Sequence, residues 1–166
     1  MDVIEAIRQR HTVRKYRKEP VHPQDMEKLL EAARLAPSGM NLQPWELILV
    51  EEPERKFLLM EACHHQPFVA DAGAVICGVD DPKAKWARVD LALAMEHIVL
   101  EATELGLGSC YIGSFSEKKV KDLLGIPPDK HVVMLLTVGV PAEKPGPAPK
   151  KPLKRLVHRE KYGGKM

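Results

Sequence analysis

The first feature whose residue types could do chemistry is a basic cluster near the amino end of the chain. It consists of five consecutive residues, Arg10-His11-Thr12-Val13-Arg14. Arginine offers a planar fork of donors to a phosphate, and the threonine hydroxyl, the imidazole and backbone N–H groups add further donors. This composition predicts a site for a terminal phosphate monoester. A solvated basic surface is the alternative interpretation.

The distribution of charge places a second set of basic residues at the carboxyl end. The formal net charge is only +2. Residues 1–18 carry six Lys or Arg against two acidic residues, and residues 144–166 carry eight against Glu160 alone. Either the two ends converge on one anion, or they form two solvated basic tails, and charge alone favours the tails.

A polar loop is predicted between a helix and a strand near residue 40. It reads Ala36-Pro37-Ser38-Gly39-Met40-Asn41-Leu42-Gln43-Pro44-Trp45. Ser38, Asn41 and Gln43 supply small polar groups on a tight turn, where they can hydrogen-bond the polar edge of a planar ring. A structural turn of the Asx type explains Asn41 equally well.

A glycine-containing segment follows the longest predicted helix. It reads Gly106-Leu107-Gly108-Ser109-Cys110-Tyr111-Ile112-Gly113. The third glycine is too distant for a G-x-G-x-x-G motif, and here a helix precedes a strand instead of following one. The phosphate-loop pattern G-x-x-x-x-G-K-[ST] is also missing from the sequence. The ordinary dinucleotide and nucleoside-triphosphate sites are therefore disfavoured, while Gly113 lets the backbone approach a ring closely.

The segment Cys63-His64-His65-Gln66 has metal-ligand residue types but an unsuitable pattern. Adjacent histidines on a helix point about 100° apart, and no second ligand pair lies nearby, so no metal site is predicted. Two interpretations of Gln66 and His65 are equally acceptable. Either one of them lies beside a bound ring, or both belong to a plain helix end at the surface. The three cysteines form no C-x-x-C pair and are expected to be reduced structural thiols.

On the longest predicted helix, Glu96 and His97 are interpreted as a satisfied buried pair, and Asp90 as a cap or a local ion-pair partner. Trp45 and Trp86 are expected in the core or in an interface. The sequence contains no convincing Ser-His-Asp or Cys-His arrangement for a nucleophile.

The hydrophobic periodicity predicts short strands alternating with helices. Helices are expected at 2–10, 23–36, 53–62, 85–105 and 117–124, and strands at 45–50, 74–79, 109–112 and 131–140. The helix at 85–105 has apolar residues around much of its circumference, so it is expected to be central and buried. This pattern predicts an α+β or α/β sandwich with one central sheet.

Length and composition predict one domain over residues 1–166, with 45% hydrophobic and 29% charged residues. The proline-rich segment from 141 to 152 is expected to be an extended arm, because proline fixes φ and lacks an N–H group. No apolar run is long enough to cross a membrane, and the first residues lack the features of a signal peptide, so the cytoplasm is expected. Few aromatic residues and an acidic middle argue against binding of nucleic acid.

The order and spacing of these features resemble the nitroreductase family of FMN-dependent oxidoreductases. The resemblance covers nearly the whole chain, and its most specific parts are the basic cluster and the Pro-Ser-Gly-x-Asn-x-Gln-Pro-Trp loop. It implies an α+β sandwich with a central, mainly antiparallel sheet flanked by helices, a long buried helix and an extended arm over 141–166. It further implies an intertwined homodimer with FMN at the subunit interface and the arm packed on the partner.

The resemblance also implies roles for individual residues. Residues of the cluster would hold the phosphate and ribityl oxygens, the loop would contact the flavin from the partner chain, and the glycine-containing segment would lie near N5 through its backbone. One lysine of the arm would reach the phosphate. Gln66 is a further candidate contact with the flavin, inferred from its own position and not from the family pattern. The residues of the cluster are Arg10, His11, Thr12 and Arg14, and those of the loop are Pro37, Ser38, Gly39 and Asn41. The residues of the glycine-containing segment are Tyr111, Ile112 and Gly113. The lysine of the arm is Lys150 or Lys151.

Two positions depart from the family pattern. Many relatives have serine at the position of Thr12, which keeps the hydroxyl. Many larger members have glutamate before the glycine that matches Gly113, whereas this chain has Ile112, so only a backbone contact carries over there. Larger relatives have extra helices over the substrate pocket, and because this chain is shorter, the resemblance does not predict what covers the pocket here.

The implied activity needs little from side chains. NADH or NADPH would reduce FMN, which would then reduce a small electron-poor acceptor, such as a nitroaromatic or a quinone, in a ping-pong cycle. Positive charge and N–H groups at the pyrimidine edge would stabilise the anionic reduced flavin. The alternatives are a flavin-binding or storage protein without turnover, or a member that fragments flavin, dehalogenates or desaturates its substrate.

Overall fold

The computed structural model describes all residues, Met1–Met166. Short 3-10 turns lie at Gly39–Asn41 and Leu153–Arg155. The helices are α1 (Val3–Gln9), α2 (Pro23–Arg34), α3 (Pro53–Ala62), α4 (Phe68–Asp71), α5 (Ala87–Glu104) and α6 (Glu117–Leu124). The strands are β1 (Trp45–Val50), β2 (Ala74–Asp80), β3 (Gly108–Ile112) and β4 (His131–Gly139).

The four strands form one sheet in the order β1-β2-β4-β3, and every neighbouring pair is antiparallel. Strand β2 lies in the interior of the sheet and all seven of its residues are buried. This explains its nearly continuous apolar sequence, since both of its faces are covered. Strands β1 and β3 are the two edges, and β3 is the edge that leads to the candidate site.

Helices cover both faces of this sheet. One apolar cluster packs α3, α4 and α6 against it through residues that include Leu59, Val69 and Val120. The other cluster packs α2 and α5 against the opposite face through residues that include Leu29 and Leu91. The predicted sandwich of a central antiparallel sheet between helical layers is therefore present.

Helix α5 is the longest element, and its predicted buried stripe is largely correct. Leu91, Met95 and Ile98 are fully buried against the sheet. The opposite side was expected to be covered as well, but Val89 is 52% exposed and Leu93 is 41% exposed. In a single chain this helix therefore has one uncovered apolar side. Among the six helices, none combines the length and the apolar composition that a membrane span requires.

Candidate functional site

The basic cluster of residues 10–14 runs along the free edge of β3. Thr12 pairs with Ser109 as a parallel bridge, and the N–H of Val13 donates to the carbonyl of Ser109 over 2.9 Å. A Cβ atom at Gly108 would lie 2.8–2.9 Å from three side-chain carbons of Val13. Glycine at 108 thus allows the cluster to lie against the strand. The structure thereby brings two of the predicted motifs together.

The carboxyl-terminal arm begins beside the same cluster. Pro141 pairs antiparallel with Tyr16, the N–H of Arg17 donates to Val140 over 2.9 Å, and the N–H of Ala142 donates to Lys15 over 2.8 Å. The arm then passes across the cluster and encloses a cavity of about 460 Å³. The cavity is lined by Ile7, Arg8, Arg10, His11 and Thr12 on one side and by Pro145, Gly146, Pro147, Ala148 and Lys150 on the other.

This cavity carries positive charge that no carboxylate neutralises. Arg8, Arg10 and Lys150 line it, and none of the three takes part in an ion pair. The nearest acid along the arm, Glu143, accepts a hydrogen bond over 2.7 Å from the backbone N–H of Arg14 and lines a neighbouring cavity. An uncompensated cluster of cationic donors around a cavity is suited to an anion with several oxygen atoms.

The predicted polar loop folds into a strained turn over residues 38–43. Met40, Asn41 and Gln43 have positive φ angles of 50°, 56° and 49°, a region that residues other than glycine rarely occupy. The hydroxyl of Ser38 closes the turn by accepting the N–H of Gln43 over 3.0 Å, and the Gln43 amide donates to the carbonyl of Asn41 over 3.2 Å. The serine closes this turn, so the Asx-type explanation of Asn41 was wrong. The Asn41 side chain stays exposed.

The first turn of α5 holds this loop, which the sequence did not predict. The carboxylate of Asp90 accepts the N–H of Gly39 at 3.2 and 3.3 Å, and the ring of Trp86 packs against Gly39. The expectation of a local partner for Asp90 was therefore wrong. The sequence did contain a signal for a buried contact of Asp90. It precedes Ala94 and Ile98 by four and eight residues, so it lies on the buried stripe of the helix.

The loop and the first residue of the chain are attached to opposite ends of α5. Gly39 is bound at Asp90 in the first turn, whereas the amino group of Met1, at the start of α1, pairs with Glu104 in the last turn over 3.0 Å. These two anchor points are separated by about 21 Å along the helix axis, at a rise of about 1.5 Å per residue. The loop and the start of the chain are therefore held at separate places along α5.

Comparison with known proteins bears on this arrangement. The model of the nitroreductase family matches residues 7–76 and 51–140. A relative from Archaeoglobus fulgidus, named NADH dehydrogenase/NAD(P)H nitroreductase, is 33% identical over 153 residues, covering 86% of this chain and 87% of the relative. The chain belongs to the nitroreductase family.

This nitroreductase-family protein is also similar to a relative with a different named activity and to a solved structure. It is 27% identical over 177 residues to an iodotyrosine deiodinase of Thermotoga neapolitana, covering 92% of this chain and 94% of that one. A solved structure of an FMN-dependent nitroreductase from Clostridium difficile superposes with a TM-score of 0.88 at 27% identity. That superposition covers 95% of this chain and 99% of the other. The predicted fold class is thereby confirmed.

In this nitroreductase-family chain, the segment Tyr111–Gly113 continues from the strand that carries the cluster. The hydroxyl of Tyr111 donates to Glu96 on α5 over 3.0 Å. Burial raises the pKa of Tyr111 above its usual range, Glu96 raises it further, and Arg10 opposes the shift. Ile112 points into the core, whereas nothing lies within 4 Å of a Cβ atom placed on Gly113. The structure therefore has open space at Gly113.

Gln66 connects the end of α3 to this segment. Its side-chain amide donates to the carbonyl of Cys63 over 2.8 Å and to that of Ser114 over 3.2 Å. His64 and His65 have positive φ angles and follow the end of α3, so the assumption that they are helical was wrong. The sequence could not predict the contact of Gln66 with Ser114, because the two residues are 48 positions apart.

The remaining titratable candidates are bound separately. Glu96 accepts from Tyr111, and Nδ1 of His97 lies 3.0 Å from the carbonyl of Ala32, so the two do not form the predicted pair. All three cysteines are buried, as predicted for structural thiols. Burial raises the pKa of the Cys110 thiol, and the nearby Arg14 opposes that rise.

Proposed function

We propose that this protein is an FMN-dependent oxidoreductase that uses NADH or NADPH to reduce a small electron-poor acceptor, such as a nitroaromatic or a quinone. The observation that carries the proposal is the cavity between the basic cluster and the arm, whose arginines and lysine have no acidic partner. Membership of the nitroreductase family and the similarity to an FMN-dependent nitroreductase support the choice of FMN as the anion.

The cavity fits the phosphate end of FMN. Arg10, His11, Thr12 and Lys150 line it, so we assign the phosphate contacts to these four residues. Guanidinium, imidazole, hydroxyl and ammonium groups all donate hydrogen bonds to phosphate oxygens. Arg14 and Lys151 do not line this cavity, so their predicted contacts with ribityl or phosphate oxygens rest on the family resemblance alone.

The space beside Gly113 fits the ring end. The backbone of Tyr111–Gly113 is assigned to the reactive edge of the flavin, because open space at Gly113 lets a planar ring approach the main chain. Gln66 is assigned to the same end because it is hydrogen-bonded to Ser114, next to Gly113. When FMN is bound there, it supplies the transfer of hydride or electrons from the nicotinamide to the acceptor, in a ping-pong cycle.

The remaining part of the site is assigned to a second copy of the chain. Pro37, Ser38, Gly39 and Asn41 lie on the loop that is held at the first turn of α5, and the family resemblance assigns this loop to the flavin of the partner chain. We therefore propose a homodimer in which this loop contacts the partner's flavin. In a two-fold dimer the same surface patch is used by both chains, so two such sites form together.

Uncovered apolar surface supports this dimer. Large apolar side chains are exposed on α1, on α5 and along the arm, namely Val3, Ile4, Ile7, Val89, Leu93, Leu153, Leu156 and Val157. Surface of this kind marks protein contacts when it is extensive. We propose that residues 1–166 form one domain and that the arm from residue 141 packs on the partner. A cytoplasmic location remains a prediction from the sequence.

Spectroscopy of the purified protein tests the proposed function. A flavin spectrum, release of FMN on denaturation and bleaching by NADH or NADPH under anaerobic conditions are expected. Arg10→Ala is expected to weaken FMN binding about ten- to a hundredfold, the usual contribution of a hydrogen bond to a charged group. Lys118→Ala, an exposed cation on α6, is the matched control.

The outcomes separate the alternatives. Colourless protein that FMN cannot reconstitute would refute the cofactor assignment. A bound flavin that neither nicotinamide bleaches would favour a binding or storage protein without turnover. Faster reoxidation by a halogenated tyrosine than by nitroaromatics or quinones would favour a dehalogenase, an activity named for one of the relatives.

A further inference from the structure

The loop of residues 38–43 keeps an unfavourable backbone conformation that needs a cause. Met40, Asn41 and Gln43 all have positive φ angles although none is glycine. Such conformations persist only where neighbouring groups hold them, and they are concentrated at functional sites. The backbone N–H of Gln43 donates to Ser38 and its side-chain amide donates to Asn41, and these internal hydrogen bonds close the turn without attaching it to the rest of the protein.

The attachment comes from two residues at the start of α5. Trp86 is the residue that immediately precedes α5, and Asp90 lies in its first turn. Gly39 lies beside both of them: its N–H donates to the two carboxylate oxygens of Asp90 at 3.3 and 3.2 Å, and the Trp86 side chain occupies the space next to it. A Cβ atom at Gly39 would be 3.2 Å from Cδ1 of Trp86.

The carboxylate of Asp90 has an unusual environment for a charged group. It is only 5% exposed, it forms no ion pair, and the N–H of Gly39 is its hydrogen-bond donor. Buried carboxylates are rare unless they are paired. Its position in the first turn of α5 offsets part of the cost, because the amino end of a helix stabilises negative charge. This residue is therefore poorly explained by stability alone.

We propose that Asp90 and Trp86 are positioning residues that hold the loop of residues 38–43 in the shape in which it contacts the flavin of the partner subunit. The inference rests on the proposed FMN site and adds two residues that do not contact the cofactor. By fixing the loop before binding, the pair removes the ordering cost that a mobile loop would take from the FMN affinity.

The test compares Asp90→Ala with the near-isosteric Asp90→Asn and with Asp122→Ala. Asp122 is an exposed helical aspartate on α6 whose carboxylate binds Lys118 over 2.7 Å, so its loss is a matched control. Three quantities are measured on each protein: amide exchange at Gly39 by NMR without flavin, FMN affinity by fluorescence titration, and the melting temperature.

Asp90→Ala is expected to speed exchange of the Gly39 amide about tenfold or more and to weaken FMN binding about tenfold, because the N–H loses its charged acceptor. Asp90→Asn keeps an acceptor oxygen, so both quantities should stay within about threefold of wild type. A purely structural role would lower the melting temperature of Asp90→Ala and leave its FMN affinity unchanged. If Asp90→Ala does not fold, Trp86→Ala is compared with Trp86→Phe by the same measurements.

Failure of this inference is distinct from failure of the proposed function. If wild-type protein does not bind FMN, the proposed function is wrong and the positioning role falls with it, whatever the exchange rates show. If wild type binds FMN and Asp90→Ala exchanges the Gly39 amide at the wild-type rate, the hydrogen bond does not hold the loop. If exchange accelerates while FMN affinity is unchanged, Asp90 stabilises the loop without positioning it for the cofactor. Either of the last two results overturns the inference and leaves the oxidoreductase proposal intact.

Discussion

Replacement of Gly108 by alanine is the sharpest test of how the basic cluster is built into the fold. The added Cβ would lie 2.8, 2.9 and 2.9 Å from Cγ2, Cβ and Cγ1 of Val13, all closer than carbon atoms normally approach. Val13 is only 5% exposed, and its backbone is bound to Ser109, so it has little freedom to move away. Overpacking of this kind costs about 1–3 kcal/mol.

The expected result of Gly108→Ala is a melting temperature lower by about 2–12 °C, since a chain of this size loses about 2–4 °C per kcal/mol. FMN affinity should fall as well, because the displaced Val13 carries Thr12 with it. Gly113→Ala is the matched control for stability, since its Cβ would meet nothing within 4 Å. Its effect on unfolding should stay within about 0.5 kcal/mol.

A double-mutant cycle with Val13→Ala identifies the cause. That change removes two of the three carbon atoms in the close contact, so Gly108→Ala should cost at least about 0.5 kcal/mol less in its presence. The unfolding free energies are measured by urea titration monitored by circular dichroism. A wild-type melting temperature for Gly108→Ala, or the same cost in both backgrounds, would refute the steric argument.

Three further predictions concern the arm, the interface and the core. Lys150→Ala should weaken FMN binding about tenfold and Lys151→Ala by less than about twofold, because only Lys150 lines the cavity; equal effects in a fluorescence titration would contradict this. Ile4→Glu places a charge on the exposed apolar face of α1 and should convert a dimer of about twice 18.6 kDa into monomers by light scattering; an unchanged dimer would place α1 outside the interface. Burial raises the pKa of the Cys77 thiol from 9.0 to about 12, so the unfolded thiol ionises first as the pH rises. Stability should therefore fall above about pH 9, and Cys77→Ala should reduce that fall when urea unfolding is compared at about pH 7 and about pH 10; an identical fall in both proteins would remove the thiol as a cause.

The sequence was sufficient for most elements because their patterns are strong and local. Strand β1 and helix α6 begin and end at the predicted residues, and both are bounded by proline or glycine. Helix α4, which spans Phe68–Asp71, was missed because four residues form one turn and carry no periodicity. The exposed side of α5 was also misjudged, since apolar residues give the same sequence pattern whether they lie in the core or on the surface.

The candidate site was predictable only where its residues are neighbours in sequence. The composition of the basic cluster indicated an anion site, but its position along β3 depends on the pairing of Thr12 with Ser109, nearly one hundred residues away. Asp90 was assigned a local partner because helix patterns report contacts three or four residues apart. Its actual contact with Gly39 spans 51 residues. Such contacts follow from the fold as a whole.

Helix α5 connects these observations, because each of its ends holds a different part of the proposed site. Its first turn fixes the loop of residues 38–43, and its last turn pairs with the start of α1, which leads into the basic cluster. The uncovered Val89 and Leu93 lie on the same helix. If two copies pack these sides together across a two-fold axis perpendicular to the helices, the helices run antiparallel, and the first turn of one lies beside the last turn of the other. The loop of each subunit then reaches the cluster of its partner. Because both flavin sites depend on one interface, FMN occupancy should fall in parallel with dimer content as the protein is diluted, and full FMN loading of a monomer would contradict the shared site.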